Sequence, residues 1–295
     1  MTDWESVLEK LDRILDRVEQ IVPQKLESPD WKKAIAYRWR RRPNGGFLQP
    51  VSSPHKIRLS DLQGVDEQKR LVEQNTRQFV EGFTANNVVL TGAKGTGKSS
   101  LVKAVLNKFA SKGLRMIEVE KHDLLDLPDI VDLVEAAAYR FIIFCDDLSF
   151  DAEEPGYKAL KVVLDGSISA TSENVLIYAT SNRRHLMPEY MQENLETKYL
   201  GEEIHPGESV EEKISLSERF GLWVSFYPFD QDEYLTIVYY WLGKLGKTSV
   251  NKGDVRQDAL QWALLRGSRS GRVAWQFARD WVGRQQVAQL ARKRT

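Results

Sequence analysis

The sequence predicts an α/β protein, a mostly parallel sheet covered on both faces by helices, followed by a small helical unit. Three observations carry this. Short apolar runs alternate with segments of helical periodicity between Ile57 and Phe229. One apolar run ends in a glycine-rich stretch, TGAKGTGKSS (91–100), that opens a helix. Beyond Phe229 the periodicity is helical and no strand pattern recurs. Strands separated by helices imply parallel pairing, because each crossover returns the chain to run in the same direction.

Residues 3–22 place Trp4, Val7, Leu8, Leu11, Ile14, Leu15, Val18 and Ile21 at three- and four-residue steps, an amphipathic helix limited by Pro23. The stretch WKKAIAYRWRRR (31–42) holds six basic residues, three aromatics and no acid. PNGGFLQPVSSPH (43–55) is rich in Pro, Gly and Ser and reads as a linker. Residues 1–55 are therefore expected to be a helical extension and linker on a core spanning 56–229. Within the core, five strands are expected: NVVLTG, LRMIEVE, RFIIFCDD, NVLIYATSN and GLWVSFYPF. The helices DEQKRLVEQNTRQFVEG, KSSLVKAVLNKFASKG, DIVDLVEAAAYR and YKALKVVLDG lie before or between them. Residues 230–295 hold three further helices, expected to form a separate lid-like domain.

Composition bounds the function. Lys plus Arg equals Asp plus Glu at 42 each, so no global field draws the chain to nucleic acid or a membrane. Any nucleic-acid binding must be local, and residues 31–42 are the candidate: arginines for phosphates, and Trp31, Tyr37 and Trp39 for stacking on bases. The alternative is that these aromatics pack on the core. A single cysteine, Cys145, precludes an internal disulfide and suggests a reducing compartment. No apolar run is of membrane-spanning length, and the acidic start MTDWESVLEK is unlike a signal peptide, so a cytoplasmic protein is expected. The four histidines have no metal-ligand spacing.

The phosphate-binding reading of 91–100 rests on mechanism. Gly92, Gly95 and Gly97 let the backbone of Ala93, Lys94 and Thr96 curl, so that amide hydrogens converge on one anion. The helix opening at Lys98, Ser99 and Ser100 aims its positive end there. Lys98 is expected to reach the β- and γ-phosphates, and the Ser99 hydroxyl to ligate Mg²⁺. The run FIIFCDD ends in Asp146 and Asp147. A strand neighbouring the first would set both beside the loop, with Asp146 holding Mg²⁺ and Asp147 orienting the attacking water. Together these motifs predict a P-loop NTPase αβα sandwich.

From residue 57 to the end the chain resembles the AAA+ ATPases. LSDLQGVDEQKRLVEQN resembles the segment closing over adenine, with Leu62 and Gly64 near the base. LIYATSNRRHL resembles the sensor-1 strand and implies a role for Asn182 at the γ-phosphate or the attacking water. LSERFGLWVSF resembles the arginine-finger segment, implying Arg219. SRSGRVAWQFARDW resembles the sensor-2 helix, implying Arg272 as a γ-phosphate contact from the lid. More narrowly, ATSNRRHL and RSGRVAWQFARDW are similar to a bacterial AAA+ group known only as a domain of unknown function. The resemblance implies ATP and Mg²⁺, an ATPase cycle, and a homo-oligomer with ATP or ADP at the subunit interface. A protein partner is the expected target, with a DNA-associated ATPase or a slowly turning assembly scaffold as alternatives. Each implied role has a plain structural competitor. Asn182 would cap a turn, Arg219 would pair with Glu218 or another neighbour, and Arg272 would decorate a helix start. The family carries Asp-Glu where this chain has Asp146-Asp147, and the shorter second carboxylate implies slow basal hydrolysis. VEKHDLLDLPDI (119–130), where threading relatives carry an aromatic pore loop, has none, and Leu124 and Leu125 there are expected in core or turn. GTPases read guanine with an Asn/Thr-Lys-x-Asp segment after a late strand, and ATSNRRHL, which occupies that region here, lacks it.

Overall fold

A computed structural model of the chain describes residues 29–42, 45–150, 155–165, 173–182, 198–200, 203–205, 218–246 and 252–294, and residues 4, 10, 11 and 13. The amphipathic 3–22 segment falls almost wholly outside them.

The chain folds around a seven-stranded sheet. Its strands are β1 (Ala36–Arg42), β2 (Gly45–Pro50), β3 (Val88–Gly92), β4 (Leu114–Glu118), β5 (Arg140–Cys145), β6 (Val175–Ser181) and β9 (Leu222–Phe226). A separate antiparallel pair, β7 (Lys198–Leu200) and β8 (Glu203–His205), was not foreseen. The helices are α1 (Asp66–Val80), α2 (Lys98–Phe109), α3 (Leu127–Glu135), α4 (Pro155–Asp165), α5 (Gln231–Lys244), α6 (Lys252–Leu265) and α7 (Gly271–Arg294). The order across the main sheet is β2-β1-β4-β5-β6-β3-β9, and every pairing is parallel except β1 with β2. β3 to β6 are buried almost throughout, as expected for a parallel sheet packed on both faces. Tyr178 of β6 fastens α1: its hydroxyl bonds Thr76 Oγ1 at 2.8 Å and accepts from Asn75 Nδ2 at 3.1 Å.

Two expectations are corrected. The sheet has seven strands, not five, because 31–55 is not a helical appendage and linker. Residues 36–42 form β1, which pairs in parallel with β4, and GGFLQP forms β2, paired antiparallel. Alternation decides this. Tyr37 and Trp39 point inward and are 1% exposed, while Arg38 and Arg40 take the opposite face. Trp31 is also buried, stacking edge-on against Tyr37 and Phe141. The indole of Trp39 lies over Gly46, where any Cβ would collide with it, and donates from Nε1 to Asp126 Oδ2 at 2.9 Å. Arg38 pairs with Glu118 (2.7 Å), Arg40 with Glu120 (2.9 Å) and Arg41 with Asp126 (3.4 Å). Arg42 lies 3.9 Å over the Phe47 ring. The aromatics expected to stack on bases are therefore core residues, and the arginines face carboxylates or a ring of the same chain.

Trp39→Ala is expected to destabilise the chain by about 3–5 kcal/mol, since it empties a large buried site and removes the indole hydrogen bond to Asp126 Oδ2. A guanidinium unfolding curve measures this; a shift under about 1 kcal/mol would contradict the packing role of β1.

Candidate functional site

The second correction concerns how the acidic pair reaches the glycine loop. β5, which carries Asp146 and Asp147 at its end, is not the neighbour of β3; β6 lies between them. β6 therefore supplies the bridge, through Thr180 and Asn182.

The loop leaves β3 at Gly92 (φ 122°), where a Cβ would strike the carbonyl of Phe226 on β9. Gly95 (φ 77°) and Gly97 (φ 107°) also take left-handed backbone, and Thr96 closes the curve by donating to the Ala93 carbonyl at 2.8 Å. α2 then begins at Lys98 with no side-chain cap and no acid in its first turn. Its leading N–H groups are thus free of side-chain acceptors, the arrangement that favours an external anion.

Lys98 is 6% exposed and donates to three oxygens: the carbonyls of Gly92 and Ala93, both at 2.7 Å, and Asn182 Oδ1 at 3.0 Å. Asn182 in turn donates from Nδ2 to Asp147 Oδ1. Ser99 Oγ and Thr180 Oγ1 each donate to Asp146 Oδ1 at 2.6 Å, and Asp147 N donates to Thr180 Oγ1 at 2.9 Å. Asn182 thus joins the polar network rather than capping a turn. Burial pulls the Lys98 ammonium down to about 8, with Arg272 and Lys94 pushing the same way and Asp147 and Asp146 opposing. The site gathers more cations than its carboxylates balance locally, which suits a polyanion.

These residues line a cavity of about 680 Å³ between sheet and helical region. Its polar end holds Lys94 to Ser100, Asp146, Asp147, Asn182 and Arg272. Its other end is apolar, with Leu62 and Val65 from the core and Ile237, Trp241 and Trp275 from α5 and α7. Leu62 lines the cavity, beside Gly97. Gly64 does not line the cavity; its left-handed backbone (φ 71°) lets the chain turn beneath the Phe229 ring. Arg272 lines the cavity, and its backbone N–H donates to the Gly95 carbonyl at 3.3 Å. A Cβ on Gly95 would come within 2.8 Å of Ser270 Oγ, so this glycine also lets the helical region touch the loop.

The sequence reading missed the tryptophans. Trp241 and Trp275 meet at 4.5 Å between ring centroids, and Trp275 lies three residues after Arg272, one turn along the same helix face. That spacing was the available signal. Asp61 was missed too. It is 5% exposed and accepts from Tyr240 Oη at 2.6 Å, from Lys244 Nζ and from Arg58 N at 2.9 Å, tying the segment before Leu62 to α5. Burial opposes its charge, but the Lys244 and Tyr240 hydrogen bonds outweigh it and hold the carboxyl below its usual range. Burial and Asp61 push the Tyr240 phenol up to about 12.

Arg219 is not in the cavity. β9 runs parallel to β3, with Gly92 opposite Phe226, so Arg219 stands before the start of β9, at the far end of the sheet. The separation is at least roughly 15 Å, the length of a five-residue strand at about 3.3 Å each. There Arg219 pairs with Asp165 at the end of α4, not with Glu218. Arg183 and Arg184, which follow Asn182 in the sequence, lie outside the described residues.

The residues fit nucleotide and Mg²⁺ in kind. The cavity joins an apolar end to an anion cradle, and Ser99, Asp146 and Asp147 supply the hard oxygen donors that Mg²⁺ takes. Residues 32–285 match the family described as "Protein of unknown function (DUF815)".

The chain belongs to that family. No curated protein matches this DUF815 member. Among solved structures it is similar to the Thermotoga maritima RuvB Holliday junction branch migration motor, at 15% identity and a TM-score of 0.44, covering 75% of this chain and 63% of that one. Against a point mutant of the same RuvB the values are 14% identity, a TM-score of 0.51, and 79% and 67% coverage. The chain thus spans under two thirds of the first structure. The likeness is one of fold, an αβα core with its helical region. No helix among the described residues is long and apolar enough to cross a membrane.

Because the folded chain holds Lys98 near 8 against 10.5 when unfolded, the unfolded state binds more protons between those values. Stability of the empty protein is therefore expected to rise with pH across that window, and Lys98→Met to flatten this component. Denaturant titrations at the two ends, wild type against variant, measure it; identical slopes would contradict the burial of Lys98.

Proposed function

We propose that the chain is a Mg²⁺-dependent ATPase of the AAA+ type, which binds ATP between core and lid and uses hydrolysis to move the lid and remodel a protein partner. The observation that carries the reading is the continuous network Lys98–Asn182–Asp147 and Ser99–Asp146 at the mouth of an uncapped helix. A buried lysine, two carboxylates and free helix amides together are what a phosphate-handling site needs.

In this reading the loop amides and Lys98 hold the β- and γ-phosphates. Ser99 and Asp146 hold Mg²⁺, which when bound offsets charge on the phosphate oxygens. Asp147, held by Asn182, orients the attacking water. Arg272 contacts the γ-phosphate from α7, so loss of that phosphate loosens the lid's hold on the core. Trp241 and Trp275 cover the base. Adenine is favoured over guanine by the family resemblance. Slow basal turnover is proposed from the short Asp147 side chain.

Arg219 supports an assembly with nucleotide at the subunit interface. It lies too far from its own cavity to act there, so a role as arginine finger requires a neighbouring copy. A protein target is favoured over DNA, because the aromatics that would stack on bases are buried. Threading is not favoured either: residues 121–126 form a 3₁₀ segment without an aromatic, with Leu124 buried and Leu125 exposed.

MgATP is expected to change the intrinsic tryptophan fluorescence, and Trp275→Ala to abolish most of that change while weakening binding by about tenfold, the worth of one lost stacking contact. Lys98→Ala is expected to weaken ATP more than adenosine. Unaltered fluorescence and affinity in Trp275→Ala would remove the base from this end of the cavity.

Arg219→Ala is expected to bind ATP normally but lose turnover by at least about a thousandfold, as for an arginine finger. Mixing it with Lys98→Ala subunits should restore part of the rate, because each supplies what the other lacks. Equal loss of ATP binding in Arg219→Ala would sink the assignment in trans. ATP-dependent assembly without phosphate release would select the scaffold reading.

A further inference from the structure

We propose that Thr180 is the positioning residue for the acidic turn, so that the inserted strand β6, rather than β5 itself, sets the geometry of both carboxylates. The consequence for catalysis rests on the Mg²⁺-ATP reading of the site; the positional claim does not.

Thr180 is 1% exposed. In the β5–β6 ladder Cys145 is opposite Ala179, so Thr180 stands beside Asp146 where β5 leaves the sheet. Three consecutive residues of the turn hang on it. Its hydroxyl donates to Asp146 Oδ1 at 2.6 Å and accepts from Asp147 N at 2.9 Å, and its carbonyl accepts from Leu148 N at 2.7 Å.

The backbone explains why such support is needed. Asp147 has φ 55° and is the one non-glycine residue with positive φ among the described residues. Left-handed backbone is unfavourable for a residue with a Cβ, and Asp is among the few that tolerate it. It persists where surrounding bonds over-determine it. The bond from Asp147 N to Thr180 Oγ1 is one such constraint, and the bond from Asn182 to the Asp147 carboxylate is the other. Asn182 follows the end of β6, two residues after Thr180, and the hydrogen bonds of both side chains reach the same acidic turn. The end of β6 and the residue after it thus hold the metal-binding carboxylate, the water-orienting carboxylate and Lys98 in fixed relation.

The competing explanation is that Thr180 is simply a β-branched residue suited to a buried strand. Packing alone would accept Val equally well. Only a hydroxyl donates to one group while accepting from another, so the hydroxyl is the atom that separates the two accounts.

The test uses the full chain with Thr180→Val, which keeps the shape, and Thr180→Ser, which keeps the hydroxyl. In the empty protein, amide exchange at Asp147 is expected to speed up by at least about tenfold in Thr180→Val and to return to the wild-type rate in Thr180→Ser. With ATP, affinity measured in EDTA is expected to stay within about twofold of wild type, because the loop and Lys98 are untouched. The gain in affinity on adding Mg²⁺ should shrink, and kcat should fall by at least about tenfold with KM little changed, since both carboxylates are displaced. Thr180→Ser should restore both. If Thr180→Val does not fold, Thr180→Ala against Thr180→Ser makes the same comparison. Wild-type exchange, Mg²⁺ dependence and kcat in the hydroxyl-free variant would overturn the proposal, as would Ser failing to rescue. A wild-type chain that shows no Mg²⁺-dependent turnover would overturn the ATPase reading and the catalytic consequence, leaving the exchange result to decide whether Thr180 holds the turn.

Discussion

One carboxylate oxygen joins three parts of this protein. Asp146 Oδ1 accepts hydrogen bonds from the hydroxyls of Ser99, at the start of the helix after β3, and Thr180 on β6, while Asp146 itself follows the end of β5. The site exists only because these ends emerge side by side on one edge of the sheet. In an open parallel sheet the carboxyl ends of the strands are where a ligand meets several chain segments at once. Interposing β6 between β3 and β5 leaves room at that edge for Asn182, which no direct β3–β5 pairing would hold there. Lys98, Asn182 and Asp147 then form a chain in which each polar group answers the next.

The helical region completes the cavity through short-range contacts with the loop and the preceding segment. Ser270 and Arg272 press on Gly95, and Tyr240 and Lys244 grip the buried Asp61. Asp61, Lys244, Gly95 and Arg272 all line the cavity, so both attachments of the helical region to the core border it.

The N-terminal stretch shows what local reading loses. WKKAIAYRWRRR has the composition of a nucleic-acid patch, and its charge is conspicuous along the chain. In the fold each arginine of β1 meets a carboxylate or a ring, and the carboxylate partners all come from the segment between Glu118 and Asp126. Alternation of Tyr37 and Trp39 with Arg38 and Arg40 was present in the sequence as a strand signal. The glycines and Pro50 that follow read as a linker but belong to β2, where Gly46 makes room for Trp39.

The glycine loop, the acid pair at the end of an apolar strand, the core strands and helices, and the candidacy of Asn182 and Arg272 were all legible in the order of residues. Each depends on groups close in the chain, and spacing along a strand or helix sets which of them share a face. The order of strands, the burial of Tyr37 and Trp39, the grip of Asp61 on α5 and the tryptophan wall of the cavity emerged only in the folded chain. So did the position of Arg219, at the opposite end of the sheet from Lys98. These rest on pairings between residues tens to hundreds of positions apart. Such pairings are set by which faces the whole chain can bury together, a quantity that no local pattern contains.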